Sequence, residues 1–411
     1  MNILGFELKK LFGSKILIFL TVFCTGLNIA MFSSDFSSDK MDIVSDIISE
    51  PGTQINELGV KKFDDIYKNE LAALREISPS AAKSYEEKGG IDYSRETRES
   101  SIMEHEYKLM LISLLRGQIE AVSGVQRKKA LAEYSFAKIK DTDSNILKLV
   151  YLFELAMISD SEFSLEFFAP LSAEYVHSVL FGRIVPVFFT EMMFIAMLVT
   201  VRSCNYEFSE GTHYLVYTSK RGRRVQQDKL LASLITVSAV FAVLGAVTFG
   251  VYFIVNDLKE FLFIPLSSTA YGCIFSVADL SIAGLFGLCM LLGLAVALLS
   301  AVITYCISGV IKNPFGTIGI FVLLQFVCLL ATDAVFSGNA GLLPKLLTAT
   351  PVGLIFNFNI SERTVQTVSG SLFCLSENSV PFFELFTVVL WGGICAVSAV
   401  LSQRCFRGKE L

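Results

Sequence analysis

The chain has 411 residues, 53% of them hydrophobic and 35 of them Phe, with a mean hydropathy of +0.58. Only 18% are charged, against roughly a quarter in an ordinary soluble domain, which excludes a soluble globule of this length and points to a membrane. A net charge of −5, with no basic tract outside short loops, argues against nucleic acid as a partner.

The first fifteen residues carry Ile3, Leu4, Leu8, Leu11 and Phe12 on one face of a helix and Glu7, Lys9 and Lys10 on the other. A segment of this kind lies in the headgroup plane and turns at Gly13 into the bilayer, unless it is only a basic flank. Residues 16–32 then read as a retained first transmembrane helix, because they have span length and lack a small-residue cleavage site.

Residues 33–176 form a polar, acidic, cysteine-free block that reads as a helical extracytoplasmic domain between the first and second spans. Ser33 to Asp46 is its hinge or initial helix. Phe63, Ile66, Tyr67, Leu71 and Leu74 recur at helical spacing, as do Met103, Tyr107, Met110 and Leu114. Pro79 marks a break between helices.

Residues 177–411 form a transmembrane domain with spans 2 to 6 at about 179–201, 230–255, 281–311, 315–335 and 381–402. Asp279 is the expected cap of the fourth. The basic flanks Lys9, Lys10 and Lys15, the run Lys220, Arg221, Arg223 and Arg224, Lys312, and Arg404, Arg407 and Lys409 all fall on one side if six spans alternate. Both termini are then cytoplasmic, and the protein is an all-α, polytopic membrane protein. The spacings Ala246-x-x-x-Gly250 and Ala283-x-x-x-Gly287 permit close helix approach.

Between the second and third spans lies a loop, 202–229, that carries Glu207, Glu210, Gly211 and Thr212, then the basic run with Arg223, and closes on Lys229. Orientation and lipid phosphates account for the basic residues alone. They leave the acidic half of the pattern without a purpose, which a docking surface for a soluble partner would supply. Glu191 sits near the middle of the second span, where an ionised acid costs about 2.5–3.5 kcal/mol on insertion scales. It is either a translocation-path or interface carboxylate, or a protonated or hydrogen-bonded Glu facing a neighbouring helix, for instance at Gln325 of the fifth span.

The chain has no phosphate-binding G-x-x-x-x-G-K-[ST] loop and no G-x-S-x-G elbow. His105 and Glu106 lack the second His of a zinc helix, since position 109 is Leu. No catalytic, cofactor or metal motif remains. Seven cysteines fall in spans or on the cytoplasmic side as free thiols; Cys273 and Cys374 fall on the outer side, where a disulfide between them stays open.

Taken together, ELKKLF at residues 7–12, the Glu207-x-x-Glu210-Gly211-Thr212…Arg223…Lys229 pattern and LPKLLTATPVGLI at 343–355 resemble the permease subunit of type-2 ABC exporters. The resemblance runs along nearly the full chain. It implies a connecting helix at the N-terminus, a coupling helix after the second span that enters a cleft of a separate ABC ATPase subunit, and short re-entrant helices before the last span. It also implies a homodimer, or a heterodimer with a second permease, that exports an amphipathic substrate (peptide, drug-like or lipid-like). The long first outer loop departs from the short one of many members and bears on substrate class rather than mechanism. The alternative from another class is a membrane sensor or binding protein whose outer domain captures a ligand and signals inward. Ion-driven transport is disfavoured by the scarcity of midplane charge.

Overall fold

The computed structural model describes residues 3–32, 57–88, 180–217, 225–255, 281–336, 349–356 and 383–408, with residue 262 and scattered positions between 102 and 152. Ser33 to Asp46, most of the block up to 176, the basic run Lys220 to Arg224, Cys273, Cys374, Asp279 and residues 343–348 lie outside them. The described residues are helical and contain no β-strand.

Helix α1 (Ile3–Phe12) and α2 (Lys15–Phe32) meet at a bend of 50°. Gly13 and Ser14 make the bend. Gly13 N–H closes onto Lys9 O at 3.0 Å, and a Cβ at Gly13 would press on that same oxygen. The Ser14 carbonyl then accepts from Ile18 N–H at 3.1 Å and starts the new helix. The inward face of α1 is Leu4, Glu7, Leu8 and Leu11, so it includes an acid, while the expected apolar member Phe12 points outward. Glu7 is drawn in because its charge has partners inside, described below. On α2, Leu17, Cys24 and Asn28 face inward, and Phe19, Val22 and Phe23 project apolar surface outward.

Helix α3 (Glu57–Ile77) and α4 (Pro79–Lys88) form a separate small core of Leu71, Leu74, Ala81, Ala82, Tyr85 and Leu109. Ser78 separates the two helices: its Oγ accepts from Ala81 N–H at 3.3 Å, and Pro79 at the first helical position gives up no needed donor. In the helical stretch 104–110 the buried positions are Glu106 and Leu109, whereas Tyr107 and Met110 are half-buried. The face is therefore turned by about one position from the periodicity expected, because Leu109 packs in the same core as Leu74 and Tyr85.

Next, a π-helical turn, Leu180–Ile184, leads into α5 (Val185–Ser209). Pro186 has no N–H to donate into the preceding turn, and widening that turn removes the demand. α6 (His213–Tyr217) is a single turn. α7 (Val225–Val255), α8 (Ile282–Val310), α9 (Pro314–Phe336), the short α10 (Pro351–Phe356) and α11 (Phe383–Gly408) follow. Ser281, not Asp279, caps α8: its Oγ accepts from Gly284 N–H at 3.1 Å.

Among the described residues, five helical segments are long and apolar enough to cross a membrane: Leu180–Ser209, Val225–Ile254, Ile282–Val310, Pro314–Ala331 and Leu385–Arg404. The bent pair α1–α2 adds a sixth if it is counted as one span. This is the pattern of a polytopic all-α membrane protein. Several hydroxyls within these helices turn back onto their own backbone, as Thr190 Oγ1 to Pro186 O (2.8 Å) and Thr304 Oγ1 to Ser300 O (2.7 Å) do, which satisfies them without water, while Thr200, Thr236 and Ser308 are buried without such a bond.

Helix α5 is the axis of the bundle, packed by α7, α8, α9 and α2. Phe188 lies edge-on to Phe241 and Phe249 of α7 at 5.0 and 5.1 Å. Gly293 of α8 accepts the ring of Phe189 so closely that a Cβ there would fall 2.1 Å from it. The Ala-x-x-x-Gly pairs expected to permit close approach do not do so here. A Cβ at Gly250 or Gly287 would meet nothing within 4 Å; glycines that sit tightly against another helix are Gly245, Gly293 and Gly309.

Before α11, Thr350 Oγ1 accepts from Gly353 N–H (3.2 Å) to open α10, and Trp391 Nε1 of α11 donates to Ala349 O at 2.6 Å. Val352, Leu354 and Ile355 of α10 are buried in the main core.

Candidate functional site

The loop expected over 202–229 is shorter than its sequence suggests. α5 continues through Tyr206 and Phe208 to Ser209, and α7 starts at Val225, so Glu207 and Lys229 are both helical residues. They face each other. Lys229, with no exposed surface, donates from Nζ to Glu207 Oε2, and Glu207 is 6% exposed. The second oxygen, Oε1, is 3.5 Å from Lys10 Nζ of α1, and Lys10 in turn lies 3.4 Å from Glu7 Oε2.

Two cations and two carboxylates thus form one neutral buried cluster. Neutrality matters, because a lone charge at this depth would carry several kcal/mol of desolvation. Lys10 also stands over the Tyr206 ring, 3.6 Å from its centroid. Ser233 Oγ donates to Lys229 O at 2.9 Å, and Asn205 Nδ2 to Thr317 Oγ1 of α9 at 3.1 Å. Gln227 Nε2 donates to Gln403 Oε1 of α11 at 2.7 Å. α1, α5, α7, α9 and α11 are therefore tied together at one charged end of the bundle.

The remaining members of the acidic pattern terminate α5. Glu210 is the C-cap, and its N–H bonds Tyr206 O at 3.0 Å. Gly211 takes a left-handed φ of 69°, with its N–H on Phe208 O, and Thr212 N–H reaches back to Glu207 O at 2.9 Å. This pair of bonds is a Schellman motif, which requires the left-handed residue that Gly supplies most readily. The chain then makes α6. His213 stacks on Phe208 (4.8 Å) and fixes its base, while Tyr214 and Leu215 are 65% and 79% exposed at its tip. Arg223 lies outside the described residues.

A second polar group sits deeper. Glu191 Oε2 accepts from Asn28 Nδ2 of α2 at 2.9 Å, and the same Nδ2 is 3.2 Å from Thr248 Oγ1 of α7. Glu191 Oε1 is buried without a hydrogen bond, with the Cys24 thiol beside the carboxyl. Gln325 is buried on α9 but is not a partner of Glu191 in these bonds. Sequence reasoning missed Asn28, although a carboxamide in step with Leu17 and Cys24 on an apolar helix was its signal. It also missed that Glu7 and Lys10, three residues apart, turn inward together. Asn28→Leu should remove the donor to Glu191 and lower stability by about 1–3 kcal/mol, read from denaturant unfolding of the purified protein. An unchanged unfolding midpoint would refute the role given to Asn28.

Comparison with protein-family models, with curated proteins and with solved structures finds no match to this chain.

Proposed function

We propose that the chain is the permease subunit of an ATP-driven exporter of the type-2 ABC class, working with a separate ABC ATPase subunit. One observation carries the reading. The exposed tip Tyr214–Leu215 stands on a helix end that is fixed from below by the Schellman turn, the Phe208–His213 stack and the buried ion cluster. A soluble motor can move spans only through a projection that does not yield, and a large aliphatic beside an aromatic is a suitable anchor for its cleft.

On this reading α1 is the connecting helix and α6 the coupling helix. Glu207 and Lys229 hold the coupling helix rather than touch the ATPase, and Glu210 contributes to the touching surface. Six spans with both termini cytoplasmic put the charged end at the cytoplasmic face of a bacterial cell membrane, α3 and α4 in an extracytoplasmic domain, and α10 at the outer side. The outward apolar faces of α9 and α11 suit lipid and a second permease, either another copy or a related chain. The core lined with Phe and Leu suits an amphipathic substrate.

The test is co-purification of the ATPase with a tagged Leu215→Asp variant. Recovery should fall about tenfold or more while the thermal midpoint of the permease stays unchanged, since Leu215 is exposed. Recovery at wild-type yield would remove the coupling role of α6, and with it the main support for the reading.

A further inference from the structure

A crevice of about 280 Å³, roughly nine water volumes, opens beside the charged end, outside the ion cluster. Its walls include Ile16 of α2, Leu198, Arg202 and Asn205 of α5, the C-cap Glu210, and Pro314 at the start of α9. A smaller cavity continues from it along Leu17 and Leu20, sharing Ile16, Leu198 and Arg202. Pro314 begins a helix long and apolar enough to cross a membrane, so the crevice lies at the end of such a helix.

Two of its polar groups are unsatisfied. Arg202 Nε is buried without a hydrogen bond, and no carboxylate among the described residues pairs with the guanidinium. Asn205, 1% exposed, has its Nδ2 committed to Thr317, but its buried Oδ1 has no donor. A buried guanidinium nitrogen without an acceptor and a buried carbonyl without a donor each carry a cost that a ligand would remove. Needs of opposite kind specify a ligand with both an anionic oxygen and N–H donors.

We propose that this crevice binds a phospholipid with a primary-amine headgroup, its phosphate on Arg202, its ammonium on Asn205 and Glu210, and a chain along Ile16, Leu198 and Leu20. The order along α5 suits that ligand. Arg202 comes first, Asn205 follows about 4.5 Å further along the axis, and Glu210 stands nearest the tip. This is the direction in which phosphate and ammonium succeed each other away from a bilayer core. The guanidinium offers phosphate a planar set of donors, and charge-assisted bonds of this kind are the stronger ones. The outward apolar side chains Ile16 and Phe19 make the mouth continuous with the lipid-facing side of α2. The inference needs only the membrane setting and stands apart from the export reading.

Native mass spectrometry of the full-length protein in detergent, titrated with lipids of identical chains, tests it. Phosphatidylethanolamine should be retained about tenfold more tightly than phosphatidylcholine, which has the phosphate and positive charge but no N–H donor. It should exceed diacylglycerol by more. Arg202→Gln should abolish the preference and Arg202→Lys keep part of it. Leu198→Trp, which fills the crevice and leaves Arg202 in place, should lose retention even if Arg202→Gln fails to fold. Equal retention of the ethanolamine and choline lipids would overturn the proposal. Undiminished retention by Leu198→Trp, or displacement of the lipid by millimolar inorganic phosphate, would do the same.

Discussion

Lys229→Met is expected to destabilise the protein by about 3–5 kcal/mol, among the largest effects of any single substitution. The change removes the donor to Glu207 Oε2 and leaves a carboxylate that is 6% exposed to face Lys10 alone. The cluster then carries one uncompensated negative charge. Replacing both partners, as Lys229→Met with Glu207→Leu, should restore most of the loss, because Lys10 still pairs with Glu7 and no buried charge is left alone. Denaturant unfolding of the two single variants and the double closes the cycle. Additive losses in the double would mean that the two residues do not act on each other.

Gly293→Ala is the second large effect, and its direction runs against helix propensity. Alanine should stabilise an exposed helical glycine site by up to about 1 kcal/mol. At Gly293 the added carbon falls 2.1 Å from the ring of Phe189, which is 1% exposed. The ring or the α5–α8 contact must shift, at a cost of about 1–3 kcal/mol. Gly287→Ala, on the same helix with nothing within 4 Å, supplies the control and should be neutral or mildly stabilising. Thermal midpoints in one detergent compare them. If Gly293→Ala matches Gly287→Ala, the packing of α5 on α8 is not as close as described.

These two sites also mark what could be read from the chain. The apolar segments were legible because twenty or so hydrophobic residues in a row have few other uses. The bend at Gly13 and the break at Pro79 were legible because both residues act locally. The role of Gly293 was not: Ala246, Gly250, Ala283 and Gly287 have the spacing that pairs helices, but which glycine meets a ring depends on rotation about the helix axis, which spacing leaves undetermined. For the same reason the buried face of 104–110 was off by a position. At the charged end, Glu207 and Lys229 were picked out as polar residues and assigned to a loop. Polarity marks a loop only while water is the best partner on offer; here each has a better one 22 residues away. Glu191 was placed in its span, with a neighbouring helix as one possible partner, but the partner is Asn28, 163 residues away, rather than Gln325.

The reach of Glu207 also sets an order of events in biosynthesis. Lys10 emerges 197 residues before the carboxylate it meets, and Lys229 another 22 after that. At ribosomal rates of about 5–20 residues per second, the N-terminal helix waits roughly 10–40 s with its Lys10 lacking that counter-charge. During that interval Lys10 has the Glu7 carboxylate, three residues away on the same helix, as its counter-charge. The ion cluster closes only when Lys229 of α7 is made, so the N-terminal helix is fixed to α5 and α7 before α9 and α11 add their own ties to the same end.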